Sequence, residues 1–458
     1  MTLESPQVEI DAVDFQISCR RFTVRATITR DRQLPVVDEF VLRLLAVLDR
    51  MPTARMRAWF GFSQKEMETV LIDISRRNFI EFDGDDVLLT AAGHDLFKSS
   101  GIDGNPQIVE VAPLVGDVWF DLISRNMVPS SRSKPTDYLV KLAELPASRQ
   151  MPEAFARTAF EENFRDYVTL IRRLPDADAV NLYSISGVEG GNYGHQVIKA
   201  GIVLDLDQMI VRPTFPELGD QGLAYQRLTS AANDAWQLIS PPDKATSTNV
   251  ELERMTGDGR LASLVASPND TDEWARAFGR AEMPGSQFKP TLGASYLKGN
   301  LDQLLKALYD KNDDDPNLDK VIWLRPSGSS WGRTAKVAEA LTRIRQALRN
   351  KGNLDTKSFL IMPRSTGNVD RTSHKKVFDN GLLLPQGHLP ANLEVLLVPG
   401  KVALVNTHIP AGQHSVALGG VVTDPTRLSR MLGRLQPGNA DGWSELWVPR
   451  KPGVVASE

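Results

Sequence analysis

One cysteine in 458 residues, Cys19, excludes an internal disulfide and a thiolate zinc site, and six scattered histidines without HxxxH or HExxH spacing offer no other metal motif. Neither a metal nor a cofactor is expected. No stretch approaches the ~18 apolar residues of a membrane span. The opening MTLESPQVEIDAVDF has neither a basic nor an apolar leader region, so a cytoplasmic location without membrane contact is expected. Positive charge is not in excess either: 53 Lys and Arg stand against 57 Asp and Glu, for a net charge of −4. General polyanion binders carry a basic surplus that releases counterions, so any contact with nucleic acid has to be local. Hydrophobic residues at 41 % and charged residues at 24 % belong to folded proteins. The length calls for about two to four domains.

Basic residues gather near the start (Arg20, Arg21, Arg25, Arg30, Arg32) and between Arg333 and Lys376. A solvated face explains such clusters as well as a polyanion site does. The segment VEIDAVDFQISCRRFTVRATITR alternates apolar and polar residues, which predicts two short strands, a β-hairpin over 1–35. From Pro35 the period changes. Val37, Phe40, Val41, Leu44, Leu45 and Leu48 fall on one helical face, with Asp38 and Glu39 in the first turn and Pro52 as the stop. A short helix, TARMRAWFG, ends at Gly61. Ser63 then caps a third helix, SQKEMETVLIDISRRN, with Glu66 completing a capping box and Met67, Val70, Leu71 and Ile74 facing inward. FIEFDGDDVLLT reads as two strands turning at Asp83-Gly84.

That order, over 36–100, is the order of a winged helix-turn-helix. The closing Thr90-Ala91-Ala92-Gly93-His94-Asp95-Leu96-Phe97 is similar to the end of many bacterial winged-helix regulators. A helix fits the DNA major groove while helix ends and wing residues hold phosphates. Ser63 opens the reading helix, Gln64, Lys65 and Glu68 are the candidates for bases, and Arg55, Arg57, Arg76 and Arg77 the candidates for phosphates. Glu66, Glu68, Asp73, Asp83, Asp85 and Asp86 weaken the field toward DNA, and docking on a protein is the competing use of such a module.

Residues 319–458 alternate strands and helices: DKVIWLRPS, TAKVAEALTRIRQALRNKG, SFLIMPRS, NLEVLLVPGKVALVN around Pro399-Gly400, and DPTRLSRMLGRLQ opened by Asp424 and Pro425. The order resembles a phospholipase D-like domain, an α/β/α sandwich whose active members carry H-x-K-x4-D with a nucleophilic histidine. On that resemblance Asn392 takes the place of the histidine, Glu394 of the lysine and Pro399 of the aspartate, so no nucleophile remains. His374-Lys375-Lys376 contains H-x-K with Asp379 two residues early, and is read as a basic loop that could touch phosphate. A degenerate domain of this kind joined to a winged helix resembles the TrmB-like regulators, which implies a body that has lost hydrolysis and binds an effector.

The middle gives less. Residues 101–150 read as a connecting segment, with a strand then a helix over 106–129 and a linker at SSRSKP. FARTAFEENFRDYVTLIRRL predicts an amphipathic helix, followed by DAVNLYSIS and QVIKAGIVLDLDQMIVRPTF as strands joined by a hairpin at GVEGGNYG. Residues 151–318 are assigned to a first phospholipase D-like half, although His195, Lys199, Asp205 and Asp207 lack the motif spacing, and Asp313, Asp314 and Asp315 read as a solvated loop. The expectation is an α/β multidomain, non-catalytic DNA-binding protein, a transcriptional regulator or targeting subunit of a bacterial complex, with a two-fold homodimer as the usual arrangement. A phosphodiesterase or nuclease using His374 and Lys376 or His195 and Lys199, and a protein-docking adaptor of a defence or DNA-processing system, stay open as alternatives.

Overall fold

The computed structural model describes residues 7–97, 107–128, 136–144, 151–175, 177–205, 210–217, 222–243, 248–259, 288–310, 320–352, 355–411, 414–436 and 442–448. The SSRSKP stretch, Asp207 and the Asp313–Asp315 run lie outside them. Strand β1, Gln7–Gln33, runs for 27 residues with no Gly, Pro or Asn to turn it. It is a single strand, not the two of a hairpin, because its partners lie far along the chain.

After β1 the chain builds a module with its own core. Helices α1 (Val36–Leu48), α2 (Thr53–Phe60) and α3 (Gln64–Arg76) pack with a three-stranded sheet of β2 (Arg50–Pro52), β3 (Ile80–Asp83) and β4 (Asp86–Leu89), ordered β2-β4-β3. The buried stripe of α1 is Asp38, Val41, Leu42 and Leu45, so Phe40 and Leu48, expected inside, are exposed. The helix is rotated by about one residue, roughly 100°. The β3–β4 hairpin pairs Asp83 with Asp86, which puts Gly84 (φ 65°) and Asp85 in the turn, one residue later than the sequence suggests. Thr90 caps the last helix of the module, α4 (Ala91–Asp95).

The chain then returns as β5 (Gln107–Asp121), antiparallel to β1 from Gln33↔Gln107 to Cys19↔Asp121. The module is therefore an insertion between two paired strand ends. Residues 107–121, expected partly as a helix, are all strand; Asp121 ends it by accepting the backbone N–H groups of Ile123 and Ser124 at 2.9 and 2.5 Å. Two short strands follow, β6 (Met127–Val128) on β5 and β7 (Val140–Lys141) on β1. On the other flank of β1 lies β8 (Val180–Asp205), which passes straight through GVEGGNYG where a hairpin was expected. The register shifts there, between Arg20↔Tyr193 and Phe22↔Gly190. A Cβ on Gly190 would sit 2.5 Å from the Arg20 guanidinium, so the glycines admit a bulge and two crossing arginines. β9 (Ile210–Thr214) closes a six-stranded sheet ordered β6-β5-β1-β8-β9, with β7 off that path.

The second sheet is mixed and has eight strands: β10 (Phe288–Leu292), β11 (Lys320–Leu324), β12 (Lys357–Met362), β13 (Asn380–Leu383), β14 (Leu393–Val398), β15 (Val402–Ala411), β16 (His414–Val422) and β17 (Ser444–Trp447). Their order is β10-β16-β15-β14-β11-β12-β13-β17, with β11, β12 and β13 parallel. Helices Lys298–Tyr309 and Lys336–Asn350 cover one face. Helices Gly222–Gln237, Thr248–Thr256 and Pro425–Leu435 cover the other, together with the first half of β1 and the last part of β8. Residues 151–318 thus do not build a separate half among the described residues: β8 and β9 join β1, and β10 joins β16. Sequence periodicity carries no information on such distant pairings.

Gly93 explains the Thr-x-x-Gly pattern of the module. A Cβ there would lie 2.2 Å from the carbonyl oxygen of Phe79, and that oxygen already accepts from the Thr90 N–H at 3.0 Å. Gly93→Ala gains helix propensity but forces these two backbones apart, so we expect a net loss of about 1–3 kcal/mol in urea unfolding. Equal or higher stability of the variant would refute the close-approach argument.

Candidate nucleic-acid interface

Helix α3 forms for reasons visible in its first turn. The Ser63 hydroxyl accepts from the Glu66 N–H at 3.3 Å and the Glu66 carboxylate accepts from the Ser63 N–H at 2.8 Å, which satisfies two orphan donors reciprocally. These bonds hold the Glu66 carboxyl below its ordinary pKa. Met67, Leu71 and Ile74 are buried beneath the helix. Gln64, Lys65, Glu68, Thr69, Ile72, Asp73 and Arg76 are exposed, so the polar side of α3 is not covered by the other described residues.

The predicted contact residues separate once their partners are known. Gln64 donates to Glu68 at 2.9 Å, and Arg76 lies 3.7 Å from Asp73. Arg77 is no phosphate ligand in this arrangement: it pairs at 3.1 Å with Asp38, a carboxylate that burial pushes up in pKa and that the Arg77 charge pulls back down. Arg77 therefore fastens α3 to α1. Arg55, Arg57 and Lys65 make no ion pair among the described residues, and they sit on α2 and on the first turn of α3. The hairpin tip is acidic, with Glu81, Asp83 and Asp85 exposed and Asp86 half-buried. Residues 36–97 hold seven Lys and Arg against eleven Asp and Glu. Exposed apolar side chains accompany them: Trp59 at 69 %, Phe82 at 51 % and Ile72 at 48 % of their full exposure.

The basic cluster of β1 is largely spent inside the sheet. Arg21 pairs with Asp117 and Arg25 with Glu189, while Arg20 lies over the rings of Phe22 and Tyr193. Among the histidine–lysine pairs, His195 and Lys199 lie four residues apart on one strand, roughly 13 Å along it, so they do not converge. Lys199 is paired with Glu217 at 3.1 Å.

His374 is not in a polar loop. It is 1 % exposed, stacked on Tyr138 with ring centroids 5.2 Å apart and bonded to the Gly332 carbonyl at 3.0 Å through Nε2, which leaves Nδ1 to accept from Ser373 at 2.9 Å. Burial first, then the nearby Arg325 charge, lowers its pKa to about 3. Lys375 is exposed, and Lys376 reaches toward Asp137 at 3.7 Å. These three residues form no joint phosphate site.

Glu394 is fully buried, and its carboxylate accepts from the indole N–H groups of Trp323 and Trp331 at 3.0 and 2.9 Å and from His408 at 3.2 Å. Burial alone would raise its pKa, but bonds from His408, Trp331 and Trp323 outweigh that and hold it low. Asn392 is bonded to Thr248, Thr407 and the His408 carbonyl. Arg325, 1 % exposed, donates to the carbonyls of Pro326 and Gly328 and lies over Trp331. Sequence reasoning missed Arg325, Trp331 and His408; Trp331 and His408 meet through Glu394, 63 and 14 residues away in the chain, and Arg325 bonds locally but is buried only by the fold. Across the joint to β1, Tyr296 donates to Asp11 at 2.5 Å; burial, countered by that bond, raises the Asp11 pKa to about 6. No group of described residues has the geometry of a metal site, and no described helix is long and apolar enough to cross a membrane.

No protein-family model and no curated protein matches the chain. Among solved structures, the archaeal chromatin protein TrmBL2, described as showing a novel mode of DNA binding, aligns over 49 % of this chain and 69 % of its own at 11 % identity. The TM-score is 0.20, so the likeness carries no argument about fold or function.

His374 and Asp11 make opposite contributions to acid stability. The folded-state pKa of His374 lies below the ordinary 6.5, so its contribution is present above that value and is lost as pH falls toward about 3. Asp11 is raised from 3.8, so its contribution is present below 3.8 and is lost as pH rises through about 6. Relative to wild type, stability of His374→Gln should gain as pH falls from 6.5, and that of Asp11→Asn should gain as pH rises above 4, each by at most about 1.4 kcal/mol per pH unit. Denaturant unfolding at a series of pH values checks both; parallel curves for wild type and variants would contradict the assignment.

Proposed function

We propose that residues 36–97 are a winged helix-turn-helix that binds DNA through α2 and the start of α3, carried on an α/β body of degenerate phospholipase D-like kind. The role is that of a regulator or a DNA-targeting subunit. One observation carries it: a capped, groove-sized helix whose polar side is exposed, with Arg55, Arg57 and Lys65 beside it making no ion pair among the described residues. The acidic hairpin tip would repel phosphates, so on this reading the wing stands clear of the backbone and contact is confined to the helices. Gln64 and Glu68 would part from each other to meet bases, a cost that favours a modest affinity.

The same surface supports a second reading, docking on a protein, because Trp59, Ile72 and Phe82 are exposed and the acidic residues outnumber the basic ones. A salt-titrated gel shift decides between them. If DNA is the partner, affinity falls with salt, and Lys65→Glu and Arg55→Glu each weaken it severalfold while flattening the salt dependence by about one phosphate contact or more. Arg76→Glu should matter less. Retention indifferent to salt and to Lys65→Glu and Arg55→Glu would leave protein docking as the function.

A further inference from the structure

Parallel strands β12 and β13 end side by side, and the loops that leave them enclose a cleft of about 690 Å³, a volume suited to a small metabolite. Its position, outside the carboxyl ends of parallel strands, is where open α/β sheets bind ligands. Pro363, Leu384, Pro385 and Leu389 give it apolar walls. Two arginines line it, Arg364 from the loop after β12 and Arg434 from the end of helix Pro425–Leu435. Arg434 is incompletely satisfied: one Nη donates to the His388 carbonyl at 2.6 Å, the other lies 3.5 Å from Glu251, and its buried Nε has no partner among the described residues. Glu251 also serves Arg254, at 3.4 Å, so the anion in the wall is shared between two arginines. Arg364 is exposed and is held by the Gly442 carbonyl and the Ser444 hydroxyl, with no carboxylate paired to it among the described residues.

We infer that this cleft binds a small organic phosphate, a phosphate monoester on a compact body. Two arginines against one carboxylate leave a positive surplus that favours an anion, and the guanidinium fork fits phosphate oxygens. The apolar walls would take the body, and Glu251 would accept from its hydroxyl or amino groups. The inference is independent of DNA binding.

Calorimetric titration of the full chain with adenosine 5′-monophosphate, glucose 6-phosphate and inorganic phosphate tests it. One of the two esters should bind more tightly than inorganic phosphate, and Arg364→Gln and Arg434→Gln should each weaken that binding about tenfold. Arg364 is exposed, so its variant keeps the fold, and its DNA retention should equal that of wild type. The inference falls if neither ester binds at millimolar concentration, if inorganic phosphate binds as tightly as the better ester, or if both variants bind like wild type.

Discussion

The molecule depends on how β1 is anchored where the six-stranded and eight-stranded sheets meet. Asp14, 3 % exposed, accepts from the Thr334 hydroxyl at 3.1 Å and the Ala335 N–H at 2.8 Å, so a carboxylate of the first strand caps the approach to helix Lys336–Asn350. Its own N–H donates to the Arg333 carbonyl at 2.7 Å. Burial raises the Asp14 pKa, and the helix-terminal donors pull it back, as expected of a carboxylate at a helix N-terminus. Nearby, the Ala294 N–H donates to the Ile10 carbonyl, and a Cβ on Gly293 would lie 2.8 Å from that same oxygen. With the first half of β1 locked to the eight-stranded sheet, the second half extends away and, with β5, carries the inserted module.

This insertion has a mechanical consequence. The module joins the body through two neighbouring strand ends at Gln33 and Gln107, and among the described residues its core is separate from the cores of the body. It can fold on its own apolar stripe while the ribbon sets where its uncovered helix points. The acidic tip at Asp83–Asp86 and the cations of α2 then divide the surface by sign, which restricts the orientations in which a polyanion could approach.

The body spends the polar groups that its sequence singles out on structure. Glu394 is held by two indoles and an imidazole, Asn392 by Thr248 and Thr407, and His374 is kept neutral beneath Tyr138. A buried carboxylate with three donors is preorganised and hard to protonate, so it fixes the packing of β14 against β11 and β15 without offering a reactive group.

Local signals determined the local elements. The Ser63–Glu66 spacing, Gly61 at the end of α2, Asp424 before Pro425 and the Pro399-Gly400 turn are short-range hydrogen-bond and φ requirements, and each element stands where its residues put it. Pairing between distant strands was decided by tertiary structure alone: whether 7–33 was one strand or two, where 180–205 went, and which sheet took 288–292. The fates of Arg77 and His374 were settled in the same way, because a side chain's partner and burial depend on residues that the chain brings near only after folding. An arginine reads as a free cation in sequence until a buried Asp38 claims it.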